Sequence, residues 1–150
     1  MTRAPGVPLQ FSVPPDAAHL RVLRRTVRDR LMQSGVRALT IDLVLLVVDE
    51  VVSNAIEHGS SYRARRSPLA IELRLHGIEI EFDFEDPEAP AGLVDELQAA
   101  LERCRSHLPP PESERGRGLW LVADHLRDLR ITRATGGGLH LHGLVSGARG

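Results

Sequence analysis

Hydrophobic residues recur every three or four positions in two stretches of the first 60 residues. The first stretch, residues 17–33, follows Asp16, a residue type that caps helices, and carries Arg side chains on its other face. The second stretch, residues 41–58, lies between Thr40 as a cap and Gly59 as a stop, and it is much more apolar. The pattern predicts an amphipathic helix followed by a long, largely buried one.

An alternation of period two replaces the helical spacing in the middle of the chain. Residues 69–76 and 78–85 both alternate apolar with polar side chains, and Gly77 between them permits a tight turn. This pattern predicts an antiparallel hairpin with one apolar face and one hydrated face. A short edge strand is expected at residues 9–13, because the prolines on both sides leave room for little more.

The segment that follows the hairpin has a different composition. Residues 87–115 contain two clusters of proline around one predicted helix at residues 93–107, and we interpret this segment as an appended flap. Gly116 and Gly118 are then predicted to precede a helix that runs to about Leu126.

A second hairpin is predicted from residues 129–131 and 139–141, joined across the glycines at 136–138. The predicted order is strand, helix, helix, strand, strand, flap, helix, strand, strand. Helices in this order can all pack on the apolar face of one antiparallel or mixed sheet, which predicts a two-layer α/β (α+β) sandwich. We expect a single domain over the whole chain, with residues 1–8 and 146–150 loose.

The composition excludes several phosphate-binding motifs and catalytic mechanisms, because all 19 basic residues are Arg and the chain has no Lys. A G-x-x-x-x-G-K phosphate loop, the catalytic lysine of a eukaryotic-type protein kinase and a Schiff-base mechanism all need the missing amine.

The formal net charge is -1, so no global field attracts nucleic acid or an anionic membrane. The single Cys104 fits a reducing compartment, and no apolar run is long enough to span a bilayer, so we expect a soluble cytoplasmic protein.

Glu50, Asn54 and His58 form one stripe on the second helix, because they are spaced by four residues. The stripe continues the apolar Leu43 and Val47, so the acid and the amide are expected to line something other than bulk water. An amide oxygen can ligate a hard cation such as Mg²⁺, and an acid can polarise a hydroxyl group or water. The spacing alone is also typical of a solvated pair.

Two further features could hold parts of a nucleotide. The sequence ERGRGLWLV at residues 114–122 places glycines at the expected start of a helix, where free N–H groups and the positive dipole end can hold phosphate. Arg115 and Arg117 could add charge-assisted contacts there. Asp86 closes a predicted strand and could accept a hydrogen bond from an exocyclic amine such as that of adenine. Each feature alone also fits an ordinary cap or turn.

Taken in this order, Glu50-x-x-x-Asn54, the strand-end Asp86 and Gly116-x-Gly118-Leu119 resemble the motifs of the GHKL ATP-binding superfamily. The fold of that superfamily is the Bergerat two-layer sandwich. The sequences DEVVSNAIEHG at 49–59 and GRGLWLV at 116–122 more closely resemble the anti-sigma factor serine/threonine kinases of bacterial partner-switching systems. The resemblance extends over about residues 11–145.

The resemblance implies a role for each motif residue. Glu50 would be the general base, Asn54 the Mg²⁺ ligand, and Asp86 the side chain that recognises adenine. Residues 87–115 would form the lid over ATP. The other residues implied in nucleotide binding are His58, Arg115, Gly116, Arg117, Gly118, Leu119 and Thr135.

The resemblance also implies a function. Members of that family phosphorylate a serine or threonine of an anti-anti-sigma partner of the STAS type, and they sequester a sigma factor when that partner is unavailable. The implied protein is an ATP-dependent serine/threonine kinase that regulates transcription without contacting nucleic acid or membrane. Whether it forms a homodimer through the first helix and the sheet stays open.

Two departures from the family pattern leave an alternative open. Asp86 is followed by Pro-Glu-Ala-Pro, where the family often has a glycine at the second position. The last sequence motif, residues 134–139, has only Thr135 and backbone groups to contact phosphate, where the family usually has a lysine or threonine near a late glycine. The altered last motif favours a module that sequesters a regulator without transferring phosphate. A third alternative, the catalytic domain of a histidine kinase, would need a phosphoacceptor helix on another chain.

His140 and His142 alternate on a predicted strand and therefore share a face, a geometry that metals use. Because no third ligand is apparent in the sequence, we interpret them as a surface pair. The Arg side chains of the first helix are similarly more typical of a solvated face, or of a site for an acidic protein, than of a nucleic-acid site.

Overall fold

A computed structural model describes residues 7–106 and 114–146 of the chain. The described elements, in chain order, are β1 (Leu9–Val13), a 3₁₀ turn (Ala17–His19), α1 (Leu20–Gln33), α2 (Ala38–Gly59), β2 (Leu69–His76), β3 (Glu79–Asp86), α3 (Ala91–Arg105), α4 (Glu114–His125), β4 (Arg127–Arg133) and β5 (Leu139–Ser146). The order of strands and helices along the chain is the predicted one. Asp16 caps the 3₁₀ turn through a 2.9 Å hydrogen bond from the backbone N–H of Ala18.

The strands form one five-stranded sheet in the order β1-β2-β3-β5-β4, and every neighbouring pair is antiparallel. Both predicted hairpins are present, and Gly77 has a φ of +64° in the first turn, a conformation that favours glycine. Along β3 the apolar Ile80, Phe82 and Phe84 are buried, whereas the alternate acidic residues are more accessible. The sheet therefore has one apolar face and one hydrated face, as predicted.

The helices cover the apolar face and complete a two-layer α+β fold. The long helix α2 packs against α1, α4 and β5, and its Val44, Val48 and Val52 are completely buried. Arg24 of α1 lies 3.0 Å from the carboxylate of Asp49 on α2. Burial raises the pKa of Asp49, and the charge of Arg24 opposes that rise.

Two predicted helix starts were wrong. Helix α2 begins at Ala38 after Arg37, so Thr40 is not its cap but a buried residue in its first turn. Helix α4 begins at Glu114 and contains both Gly116 and Gly118, which were predicted to precede it. A glycine disfavours a helix by about 1 kcal/mol, and the packing of α4 on α2 overrides that preference.

The ends of two other elements also differ from the prediction. Helix α3 spans Ala91–Arg105 in place of residues 93–107, and residue 107 lies outside the described part of the chain. Ser146, predicted to begin a loose tail, is the last residue of β5 and pairs with Glu79. None of the helices in residues 7–106 and 114–146 has the length and apolarity that a bilayer crossing requires.

Candidate nucleotide site

Helices α2 and α4 meet where Glu50 and Asn54 face Gly118. A Cβ atom at Gly118 would lie 2.7 Å from Asn54 Nδ2 and 2.8 Å from Glu50 Oε2. Contacts this short do not occur between a real Cβ and its neighbours, so only glycine fits here without moving the acid or the amide. The structure thus brings together three of the predicted site residues from two separate motifs.

A cavity of about 60 Å³ lies next to this contact, between the helices and the sheet. Asn54 and His58 of α2, Leu119 of α4 and Leu93 of α3 line it on the helical side, and Asp86 lines it at the end of β3. His58 Nε2 is buried without a hydrogen-bond partner within the described residues. A buried polar atom without a partner is usually hydrogen-bonded to a water molecule or a ligand. The cavity is large enough to hold a water molecule or part of a ligand.

Asp86 is the last residue of β3, as predicted, but its side chain is almost completely buried and both carboxylate oxygens accept hydrogen bonds. Its carboxylate forms a bidentate pair with Arg63, with Nη1 2.9 Å from Oδ1 and Nη2 2.6 Å from Oδ2. The hydroxyl of Tyr62 donates to Oδ2 at 2.9 Å, and the backbone N–H of Glu88 donates to Oδ1 at 3.2 Å. These four hydrogen bonds use the acceptor positions of both oxygens.

Arg63 is held from two sides in the loop that follows α2. Its side chain is 6% exposed, and Nη2 also donates to the carbonyl of Ala55 on α2 at 2.8 Å. Burial alone would lower the pKa of Arg63, but the hydrogen bonds and the charge of Asp86 outweigh burial and raise it. The guanidinium therefore stays charged and neutralises Asp86.

Tyr62 and Arg63 were not among the predicted site residues. They lie in the Arg- and Ser-rich stretch between α2 and β2, which gives no periodicity by which to rank one Arg above its neighbours. The one available signal is Tyr62, the only tyrosine of the chain, because an aromatic residue in a polar loop indicates a packed position.

The predicted lid segment includes α3, which is docked on the edge of the sheet. Val94 and Leu101 are buried, Gln98 Nε2 donates to the carbonyl of Ile131 at 2.8 Å, and Arg105 Nη2 donates to the carbonyl of Leu129 at 2.5 Å. These contacts tie α3 to β4, and Leu93 at its start reaches the cavity.

The remaining predicted residues are placed in different ways. Leu119 is buried and lines the cavity, whereas Thr135 is exposed in the turn between β4 and β5. That turn touches the site through Gly138, where a Cβ would lie 2.5 Å from the carbonyl oxygen of Asp86. The backbones of Arg115, Gly116 and Arg117 belong to the first turn of α4, and the side chains of residues 114–117 lie outside the described part.

The fold is that of a histidine kinase-like ATPase domain. A family model described as a histidine kinase-like ATPase domain matches residues 13–142, and the chain belongs to this family. This membership and the antiparallel two-layer architecture confirm the predicted relationship to the GHKL superfamily and its fold.

Solved structures from two bacteria share the fold. The SiaB–SiaC complex from Pseudomonas aeruginosa aligns with a TM-score of 0.67 and 14% identity, over 91% of this chain and 88% of that one. The structure of the RsbU and RsbW domains of Rv1364c from Mycobacterium tuberculosis also aligns with a TM-score of 0.67, at 20% identity, over 99% of this chain and 34% of that one. No curated protein matches the chain significantly.

The family implies an ATP site, and the side chains fit one end of it better than the other. Glu50 and Asn54 carry oxygen atoms of the kind that Mg²⁺ prefers, although the Asn54 atom nearest to Gly118 is Nδ2. A side chain at position 118 would collide with both residues. At the adenine end, Asp86 has its acceptor positions filled by Arg63, Tyr62 and Glu88. Adenine recognition by Asp86 therefore requires Arg63 to be displaced.

Proposed function

We propose that the protein is an ATP-dependent serine/threonine kinase of the anti-sigma type, which phosphorylates a STAS-type anti-anti-sigma partner and sequesters a sigma factor. The observation that carries the proposal is the convergence of Glu50, Asn54 and Gly118 at the contact of α2 with α4. An acid, an amide and a backbone without a side chain are the groups that a metal-bound phosphate chain and an acceptor hydroxyl need at close range.

In this proposal each side chain has a limited task. Glu50 accepts the proton of the partner's hydroxyl, and the carboxamide oxygen of Asn54 is one ligand of Mg²⁺. The metal ion, when bound, neutralises charge on the phosphate oxygens. The N-terminal turn of α4, with Arg115, Gly116 and Arg117, offers N–H groups and positive charge to the phosphates, and Gly118 keeps side-chain atoms away from Glu50 and Asn54.

The adenine end of the site involves Asp86, His58, Leu119 and Thr135. Leu119 and the neighbouring apolar side chains of the cavity would pack on the base. His58, whose Nε2 has no hydrogen-bond partner within the described residues, lines the same cavity. Asp86 would accept the exocyclic amine after Arg63 has moved away. Residues 87–115, with α3, would close over the nucleotide.

The partner classes rest on the relatives that share the fold. One of the aligned structures is a complex of SiaB with SiaC, and the other contains RsbU and RsbW domains. A sigma factor and a STAS protein as partners, a homodimer and a cytoplasmic location are parts of the proposal.

A phosphotransfer assay tests the proposal. The protein would be incubated with γ-labelled ATP, Mg²⁺ and each single-domain STAS protein encoded by its source organism, followed by phosphoamino-acid analysis. We expect label on serine or threonine with the wild type, loss of label with Glu50→Gln, and retained label with Glu57→Gln, which alters an exposed acid on the same helix. Equal transfer by wild type and Glu50→Gln would contradict the role of Glu50.

A second candidate function is a sequestering module that transfers no phosphate, and the Arg63–Asp86 pair specifically favours it. A permanently neutralised Asp86 would leave no carboxylate for adenine. The two candidates predict different results for the wild-type protein. The kinase binds Mg-ATP, whereas the module binds its protein partner equally well with and without nucleotide. Absence of both ATP binding and phosphotransfer in the wild type, with partner binding retained, would select the module.

A further inference from the structure

The hydrated face of the sheet carries a cluster of acids and histidines on two neighbouring interior strands. Glu81 and Asp83 lie on β3, and His140 and His142 lie on the neighbouring β5, where Asp83 is the direct cross-strand partner of His142. These side chains are partly exposed, with Asp83 the most buried of the four at 16%. The cluster lies on the opposite face of the sheet from the cavity that Asp86 and Phe84 line, because alternate residues of a strand point to opposite faces.

The donor atoms of three of these side chains converge. One donor atom each from Glu81, Asp83 and His142 lie within 4.8 Å of one another. His142 Nδ1 is 2.9 Å from Asp83 Oδ1 and 3.9 Å from Glu81 Oε1. Ligands bound tetrahedrally at about 2.0–2.2 Å from one zinc ion are about 3.3–3.6 Å apart. The observed separations of 2.9 and 3.9 Å lie on both sides of that range.

A fourth polar group supports the set. His140 Nε2 is 2.7 Å from the same Oδ1 of Asp83, so this oxygen lies between two imidazole rings. Glu81 is held by His76 Nε2, which is 2.9 Å from its other oxygen. Carboxylates that are oriented by neighbouring hydrogen bonds are typical of metal sites.

We propose that Glu81, Asp83 and His142 bind a divalent transition-metal ion of the zinc class on the hydrated face of the sheet, independently of nucleotide. Imidazole nitrogen with two carboxylates is a donor set that suits Zn²⁺, and the two negative charges balance the charge of the ion. The bound ion links β3 to β5, two neighbouring interior strands of the sheet. The sequence alone offered only the two histidines, because the carboxylates come from a strand that is distant in sequence.

Metal binding to the protein without nucleotide tests the proposal. Untagged, chelator-treated protein would be titrated with Zn²⁺ alone by isothermal calorimetry, with Co²⁺ absorption as a second probe of the donor set. We expect one ion per chain, and an affinity at least about tenfold weaker in each of Asp83→Asn and His142→Ala. His125→Ala, which removes a half-buried imidazole on α4, should bind Zn²⁺ like the wild type.

Thermal unfolding provides the second readout, and it also shows whether the variants fold. Zn²⁺ should raise the Tm of the wild type and of His125→Ala, and the same Zn²⁺ concentration should raise the Tm of folded Asp83→Asn and His142→Ala less. No Zn²⁺ binding by the wild type would overturn the proposal and would assign the cluster to histidine–carboxylate hydrogen bonds alone. Binding that Asp83→Asn and His142→Ala leave intact would overturn it as well, because the ion would then lie elsewhere.

Discussion

Arg63 and Asp86 form a bidentate ion pair that joins the loop after α2 to the end of β3, with both side chains almost completely buried. The pair occupies the carboxylate that the family motif assigns to adenine. The pair is therefore a structural contact, and under the kinase proposal it also competes with adenine for Asp86.

Replacing Arg63 with Ala should destabilise the fold strongly, because it leaves the carboxylate of Asp86 buried with only Tyr62 and a backbone N–H as donors. Breaking a buried pair from one side costs about 3–5 kcal/mol. Urea unfolding of Arg63→Ala against Arg65→Ala, an exposed neighbour, measures the difference. Equal stabilities would show that the pair is not formed in solution. Under the kinase proposal, added Mg-ATP should recover part of the lost stability in Arg63→Ala by binding the released carboxylate.

Replacing Gly118 with Ala should impair phosphotransfer far more than stability. The new methyl group would displace the ends of Glu50 and Asn54, which are flexible, while the helix gains up to about 1 kcal/mol from the substitution. A misplacement of catalytic groups by about 1 Å can cost about 100-fold in rate. The matched control is Gly92→Ala in α3, where the methyl group meets no atom within 4 Å. Unimpaired phosphotransfer by Gly118→Ala would show that Gly118 is not part of the catalytic site.

Replacing Gly138 with Ala should cost more stability than the same change at Gly136. Both glycines have positive φ, +96° and +89°, so both variants carry strain of about 1–3 kcal/mol. Only at Gly138 would the methyl group also meet backbone atoms, at 2.5 Å from Asp86 O and 2.8 Å from Pro87 Cα. Thermal unfolding of the two variants gives the comparison, and a larger loss in Gly136→Ala would contradict the close approach of this turn to Asp86.

Cys104 should react slowly with iodoacetamide at neutral pH. Burial raises the pKa of its thiol, so less thiolate is present at a given pH than in a free cysteine. The pH–rate profile should therefore rise at higher pH than that of a small-molecule thiol. Gln98→Ala, which removes the hydrogen bond from α3 to Ile131, should increase the rate by loosening the helix. A rate equal to that of a free thiol in the wild type would show that α3 is not docked as described.

The sequence predicts the elements of this fold well, because both hairpins alternate with period two and α2 is long and periodic. It fails where packing between distant segments decides. Helix α4 extends through two glycines because Gly118 fits against Glu50 and Asn54, and no local propensity reveals that contact. Asp86 is paired with Arg63 of a distant loop, and His142 with Asp83 of another strand. Neither contact could be predicted without knowing which distant segments lie next to each other in the fold.

Equilibrium binding of Mg-ATP to the wild type and to Asn54→Ala tests the central claim most directly, which is that the contact of α2 with α4 forms the phosphate and metal end of an ATP site. The account predicts saturable binding of one nucleotide per chain, and weaker binding by a folded Asn54→Ala in the presence of Mg²⁺. Equal affinities for the two proteins, or no binding by the wild type, would contradict it.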